Sequence, residues 1–283
     1  MTRSPSFSVC QLTLSETSFE EDLEICRRTG VPGLGIDAGK LTGDDELLRE
    51  LMARHAVRAS LCVPSPMSLL PLTHVPGPDD PAERLAAIRA DLERLARFRP
   101  ATVFVLTGGR GSLSEDAARE LVVSGLRELA QLAGELGVTL SLEPMRESFR
   151  ADWTLVCGLD ETVELLDEAG GDIEILYDAW HMWDGPDALE LTERYASRIA
   201  GVHVADYRVP TRSQLDRVLP GDGAADLAGV FAALQRGGFD GWYDLEVFSQ
   251  GYPDSLSERD PVEWIAAGKR GFERIWEQSH SPA

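Results

Sequence analysis

The sequence is poor in cysteine, in basic residues and in long apolar runs, and each shortage excludes a class of protein. Its four cysteines, Cys10, Cys26, Cys62 and Cys157, are scattered and form no CxxC pair. That excludes a disulfide framework and a zinc–cysteine site, and it points to buried free thiols in a reducing cytosol. Lys and Arg number 27 against 48 Asp and Glu, a net charge of −21. Nucleic acids and anionic membranes would be repelled, so neither is expected as a partner, and the acidity reads as solubility. No apolar run approaches the ~18 residues of a membrane span, and residues 1–8 lack a charged-then-apolar signal pattern. A soluble, cytoplasmic protein is expected. No Gly-rich phosphate turn appears in residues 11–19, after the first apolar run, which disfavours an open dinucleotide-binding sheet.

What is present is periodic. The chain has 283 residues, 43% of them hydrophobic, which is the ordinary size of one (β/α)8 barrel. Short apolar runs predict strands at 7–12, 31–37, 57–63, 102–106, 138–143, 173–178, 199–203 and 242–246. Helical spacing predicts helices at 18–29, 44–55, 82–97, 114–136, 159–169, 187–195, 224–236 and 260–276. No composition shift divides the chain. The expectation is therefore a single TIM-barrel domain over 1–283, with its chemistry at the C-terminal ends of the strands. Residues 64–81 carry six prolines and read as an irregular loop over the mouth, a lid or a substrate wall.

The last four strands each end on a residue of metal-ligand type. Glu143 closes the run from Val138, Asp178 the run from Ile173, His203 the run from Ile199, and Glu246 the run from Trp242. A single acid at a strand end is more often a cap or an ion-pair partner; four in succession fit one cation. The set is hard and mostly oxygen, so Mn2+ or Mg2+ suits it best, with Co2+ or Zn2+ as alternatives. Such a site leaves room for a substrate hydroxyl and its neighbouring carbonyl. The cation would polarise the carbonyl and stabilise an enediolate, while a carboxylate takes the α-proton.

The flanks add candidates for substrate binding. His181 lies one turn beyond Asp178, and Arg146 lies just past Glu143. Asp206, three residues after His203, reads as a group that orients a ligand or caps the next segment. Arg208, Arg212 and Arg217 follow in the same loop; a phosphate or hydroxyl clamp is one reading, and surface charge the reading for at least two of them. Trp153, Trp180 and Trp183 offer apolar walls or plain packing.

The segments Leu142-Glu143-Pro144, Tyr177-Asp178-Ala179-Trp180-His181, Val202-His203-Val204-Ala205-Asp206, Pro220-Gly221-Asp222-Gly223 and Leu245-Glu246-Val247-Phe248 resemble the xylose-isomerase-like TIM barrel superfamily of sugar-phosphate isomerases and epimerases. Within it, the run from Asp216 to Gly223 most resembles the inosose (2-keto-myo-inositol) isomerase branch. The resemblance implies one divalent metal ion on Glu143, Asp178, His203 and Glu246. It also implies Glu143 and Glu246 as the acid/base pair and His181 against the substrate. Two departures narrow it. Phe149 stands where ketose 3-epimerases carry a substrate-binding glutamate. Asp37, Val63-Pro64 and Thr107-Gly108 stand where the endonuclease branch has zinc-binding histidines. The expected activity is isomerisation or epimerisation of a small polyhydroxylated ketone, a keto-sugar or inosose. A metal-dependent dehydratase of the inosose or dehydroshikimate type is the alternative, and a non-catalytic sugar-binding barrel the third reading. The helical faces would allow a homodimer.

Overall fold

The computed structural model describes residues 5–73 and 75–280. Its strands are β1 (Ser6–Cys10), β2 (Gly33–Gly35), β3 (Arg58–Ala59), β4 (Leu61–Cys62), β5 (Thr102–Val105), β6 (Leu140–Leu142), β7 (Ile173–Asp178), β8 (Ile199–Val204), β9 (Asp206–Tyr207), β10 (Arg217–Val218) and β11 (Trp242–Leu245). Nine of them form one parallel sheet in the order β3-β2-β1-β11-β8-β7-β6-β5-β4. The two edge segments, β3 and β4, are consecutive in the chain, so the circuit closes through residues 58–62 into a TIM barrel. The third strand was expected unbroken. It is divided because Ser60 N–H donates to Leu34 O at 3.0 Å while Ser60 O accepts from Ala101 N–H at 2.9 Å. The chain changes partners at that residue.

The helices that cover the barrel are α1 (Phe19–Thr29), α2 (Asp45–His55), α3 (Pro81–Ala96), α4 (Glu115–Leu136), α5 (Gly158–Ala169), α6 (Ala179–Met182), α7 (Ala188–Tyr195), α8 (Leu227–Arg236) and α9 (Pro261–Ser279). Their boundaries follow local chemistry. Ser18 and Glu21 close a capping box on α1, and Gly30 ends it at φ 63°. Asp80 caps α3 with Pro81 at its first turn. Among the described residues no helix is long and apolar enough to cross a membrane.

Two apolar layers result. The larger core lies between barrel and helices, while Leu61, Val63, Phe104 and Leu176 cluster apart from it. Side chains alternate along a strand, so Asp244 and Glu246 share the inner face of the barrel. Register places Ser8 beside Asp244, Asp244 beside His203, and His203 beside Asp178. One polar row therefore crosses four strands just below the mouth. Gly35 makes space for it: a Cβ there would sit 2.3 Å from Asp244 Oδ2.

Part of the proline-rich segment is tied to the barrel and to α3. Leu69 and Leu70 N–H donate to Leu106 O and Thr107 O at 3.0 and 2.8 Å. Buried Arg84 of α3 reaches into the segment, donating to Ser68 O, Ser68 Oγ and Pro78 O at 3.0, 2.8 and 2.7 Å. Residues 206–218 are also more regular than expected, because β9 and β10 pair there as an antiparallel hairpin.

Candidate active site

The fold delivers Glu143, Asp178, His203 and Glu246 to the C-terminal mouth of the barrel. Glu143 N–H and Glu246 N–H extend the ladder by donating to Val105 O and Val204 O, each at 3.1 Å. Both side chains are thereby fixed at strand ends, and all four are buried. His203 Nδ1 lies 3.2 Å from Glu143 Oε1 and 3.4 Å from Glu246 Oε2. These three residues offer ligand atoms within 4.8 Å of one another. Asp178 turns one carboxylate oxygen to Trp180 N–H at 2.8 Å. Its other oxygen meets Arg217 Nη1 at 2.9 Å, and that same nitrogen lies 3.0 Å from Glu246 Oε2.

The electrostatics are those of a concentrated negative site. Burial pushes the Glu143 and Asp178 carboxyls upward, opposed by His203 and Arg217 respectively. Burial also disfavours a charged His203, yet Glu246, Glu143 and Asp244 outweigh it and raise its pKa to about 10. One layer down, burial lifts Asp244 to about 7. His203 Nε2 faces Asp244 Oδ2 at 3.9 Å and has no hydrogen-bond partner among the described residues. Cys10 donates its thiol proton to Glu246 Oε1 at 3.6 Å. Two glutamates and an imidazole converging in a buried, carboxylate-rich site make a donor set that fits a divalent cation. Arg217 now supplies the positive charge that such a site demands.

Arg217 was not singled out among the three loop arginines, and the structure separates it from the others. It is buried and stacked between the rings of Trp180 and Phe248, at 4.7 and 4.8 Å. Arg208 and Arg212 instead share Asp216 and Asp254 in half-exposed ion pairs. In this arrangement Arg208 braces the loop.

The other candidates divide as well. His181 Nδ1 accepts the Arg146 backbone N–H at 3.3 Å, so Nε2 carries the ring proton and points toward Asp178, 3.6 Å away. Burial and Arg217 hold its pKa well below the usual histidine range, so the ring is a neutral donor. The Arg146 side chain is directed elsewhere: its Nη2 pairs with Asp184 at 2.6 Å and its guanidinium lies 4.6 Å from the Tyr207 ring. Asp206 is spent on backbone, accepting from Tyr207, Ala225 and Gly221 N–H at 2.8, 3.0 and 2.9 Å. Both its oxygens are thus engaged by backbone donors, which hold the base of the hairpin. A cavity of about 220 Å3 opens above the cluster, with Glu143, His181, Arg217 and Glu246 in its lining.

Comparison with known proteins agrees with this architecture. Residues 23–272 match the family model described as xylose isomerase-like TIM barrel. An inosose dehydratase of Geobacillus kaustophilus is 32% identical over 148 residues, 46% of this chain and 46% of that protein. The match thus spans about half the length of that relative. A putative hydroxypyruvate isomerase of Streptomyces coelicolor is 26% identical over 211 residues, 69% of this chain and 72% of the relative. The solved IOLI protein with a bound zinc atom superposes with a TM-score of 0.79 at 19% identity, covering 98% of this chain and all (100%) of that one. With residues 23–272 of 283 matched by the family model and the strand-end residues in place, the chain belongs to the xylose isomerase-like TIM barrel family.

Proposed function

We propose that the protein is a divalent-metal-dependent enzyme that removes a proton from the carbon beside a carbonyl in a small α-hydroxy ketone, the chemistry shared by keto-sugars and inososes. The observation that carries the reading is the convergence of Glu143, His203 and Glu246 within 4.8 Å at the barrel mouth. Glu143, His203 and Glu246 would hold the ion, with Asp178 joining once it is released from Arg217. The ion supplies Lewis-acid polarisation of the substrate oxygens; Mn2+ remains our first choice, with Mg2+, Co2+ or Zn2+ as alternatives. Glu143 and Glu246 form the acid/base pair. One carboxylate accepts the α-proton while the C–H electron pair moves toward the carbonyl oxygen, and the other returns a proton to the neighbouring carbon or the opposite face. Neutral His181 donates a hydrogen bond from Nε2–H to a substrate oxygen and keeps its proton. Arg217 balances the negative charge that develops, and the surrounding wall keeps water from quenching it.

Isomerisation or epimerisation follows if the proton returns to carbon. Dehydration follows if a β-hydroxyl leaves instead, and the inosose dehydratase names among the relatives favour that second reading. Metal analysis of the purified protein, followed by NMR of α-hydroxy ketones turned over in D2O, tests both. Isomerisation incorporates one carbon-bound deuterium without loss of water, while dehydration loses water. A protein that binds no divalent ion and exchanges no α-hydrogen rules the reading out.

A further inference from the structure

The cavity above the carboxylate cluster has a polar floor and an apolar wall. Glu143, His181, Arg217 and Glu246 form the floor, where the two oxygens of an α-hydroxy ketone would lie. The wall comes from four separate segments. Met67 and Val75 belong to the proline-rich segment, Phe149 and Trp153 follow β6, Leu215 lies in the β9–β10 connection, and Phe248 follows β11. Deeper, Leu106 and Met145 continue the same surface, and Gln214 is the one neutral amide in the lining given by the described residues. The wall is also firm. Phe149 meets His181, Trp180 and Trp153 edge-on at 4.9, 6.0 and 6.2 Å. Residues 67–70 are anchored by Leu106, by the Thr107 carbonyl and by Arg84.

Such a wall discriminates. A hydroxyl moved from water against it finds no partner, and each one left unpaired weakens binding roughly tenfold. A six-carbon polyol would place several hydroxyls there against a single amide. An aryl or branched-alkyl group, in contrast, buries apolar surface and gains contacts with the aromatic rings and thioethers. A cavity of roughly 150 Å3 lined by aliphatic and aromatic groups accepts benzene, so about 220 Å3 has room for a ring of that size and a two-oxygen head. We propose that the substrate is an α-hydroxy ketone whose remaining body is apolar, an aryl or branched-alkyl group rather than a polyol chain or ring. This rests on the reaction proposed above and narrows its substrate class.

The test uses two hydroxamates that share one chelating head, benzohydroxamate and D-erythronohydroxamate, titrated calorimetrically into the Mn2+-loaded full-length protein. Their affinities for the free ion serve as the correction. Benzohydroxamate is expected to bind at least tenfold tighter than the polyol probe, and only when Mn2+ is present. Leu215→Gln, on the exposed rim, is expected to shrink that ratio at least threefold. Equal or tighter binding of the polyol probe to the loaded protein overturns the substrate class and leaves the metal reading standing. So does metal-independent binding of benzohydroxamate, or failure of both probes on a protein that holds Mn2+. Failure of the protein to bind Mn2+ or any other divalent ion overturns the proposed reaction and this inference together.

Discussion

Glu143 and Glu246 reach the same imidazole nitrogen from opposite ends of the sheet order β6–β7–β8–β11, and each contact depends on one carboxylate oxygen. Replacing either by Gln keeps the shape and removes the basic charge. Glu143→Gln and Glu246→Gln are each expected to slow α-hydrogen exchange by about 10²–10⁴-fold, read as deuterium uptake by NMR. Asp244 offers a finer test. Its carboxylate stands behind His203 Nε2, where it favours protonation of that nitrogen and leaves the Nδ1 lone pair facing Glu143 and Glu246. Asp244→Asn is expected to weaken divalent-ion affinity by about 10–100-fold, measured by competition with a chromophoric chelator. The thermal melt of the metal-free protein should survive the change. An unaltered ion affinity would show that Asp244 serves packing alone.

At the scale of elements, the wall of the cavity depends on α3. Arg84 is one of the largest fully buried side chains, and its three donated hydrogen bonds tie α3 to the proline-rich segment. Arg84→Met would fill similar volume and leave Ser68 O, Ser68 Oγ and Pro78 O without that donor. Each buried acceptor left unpaired costs about 1–3 kcal/mol, less what water recovers. The expected loss is about 2–4 kcal/mol in urea unfolding, with earlier proteolysis at residues 64–81. The β9–β10 hairpin works similarly on the other side. Asp206 clamps its base while Asp216 and Asp254 brace its arginines, so Arg217 is carried into the site on a rigid arm.

For the whole molecule, the buried acids set the pH dependence of stability. Asp244 and Glu143 have folded pKa values above the unfolded ones, so the native state holds more protons. Their contribution is complete below the unfolded pKa near ~4 and is lost as pH rises through about 7 for Asp244. His203 acts in the same sense higher up, its contribution fading as pH rises through about 10. The metal-free protein should therefore melt several degrees lower at pH 9 than at pH 5.5, by calorimetry. A divalent ion at a hundred times its Kd should restore about 2.7 kcal/mol, and the restoration should grow with pH because protons compete for the same atoms. A melting temperature that is flat or rising over this range would contradict the arrangement of charges described here.

The sequence by itself determined the alternation of elements, and with it the barrel. Apolar runs, Ser and Asp caps and terminal glycines are local signals, and Glu143, Asp178, His203 and Glu246 were legible because strand ends in a parallel barrel all face one mouth. Only the tertiary structure decided which charges meet. Arg217 and Arg208 look alike in one dimension, yet the β9–β10 hairpin buries the first beside Asp178 and leaves the second partly exposed against Asp216 and Asp254. Asp244 reads as one more strand residue until register sets it against His203. The apolar wall was equally hidden, because Met67, Phe149, Leu215 and Phe248 come from four loops. Contacts between residues distant in sequence depend on barrel closure and loop packing, and neither leaves a periodic trace in the chain.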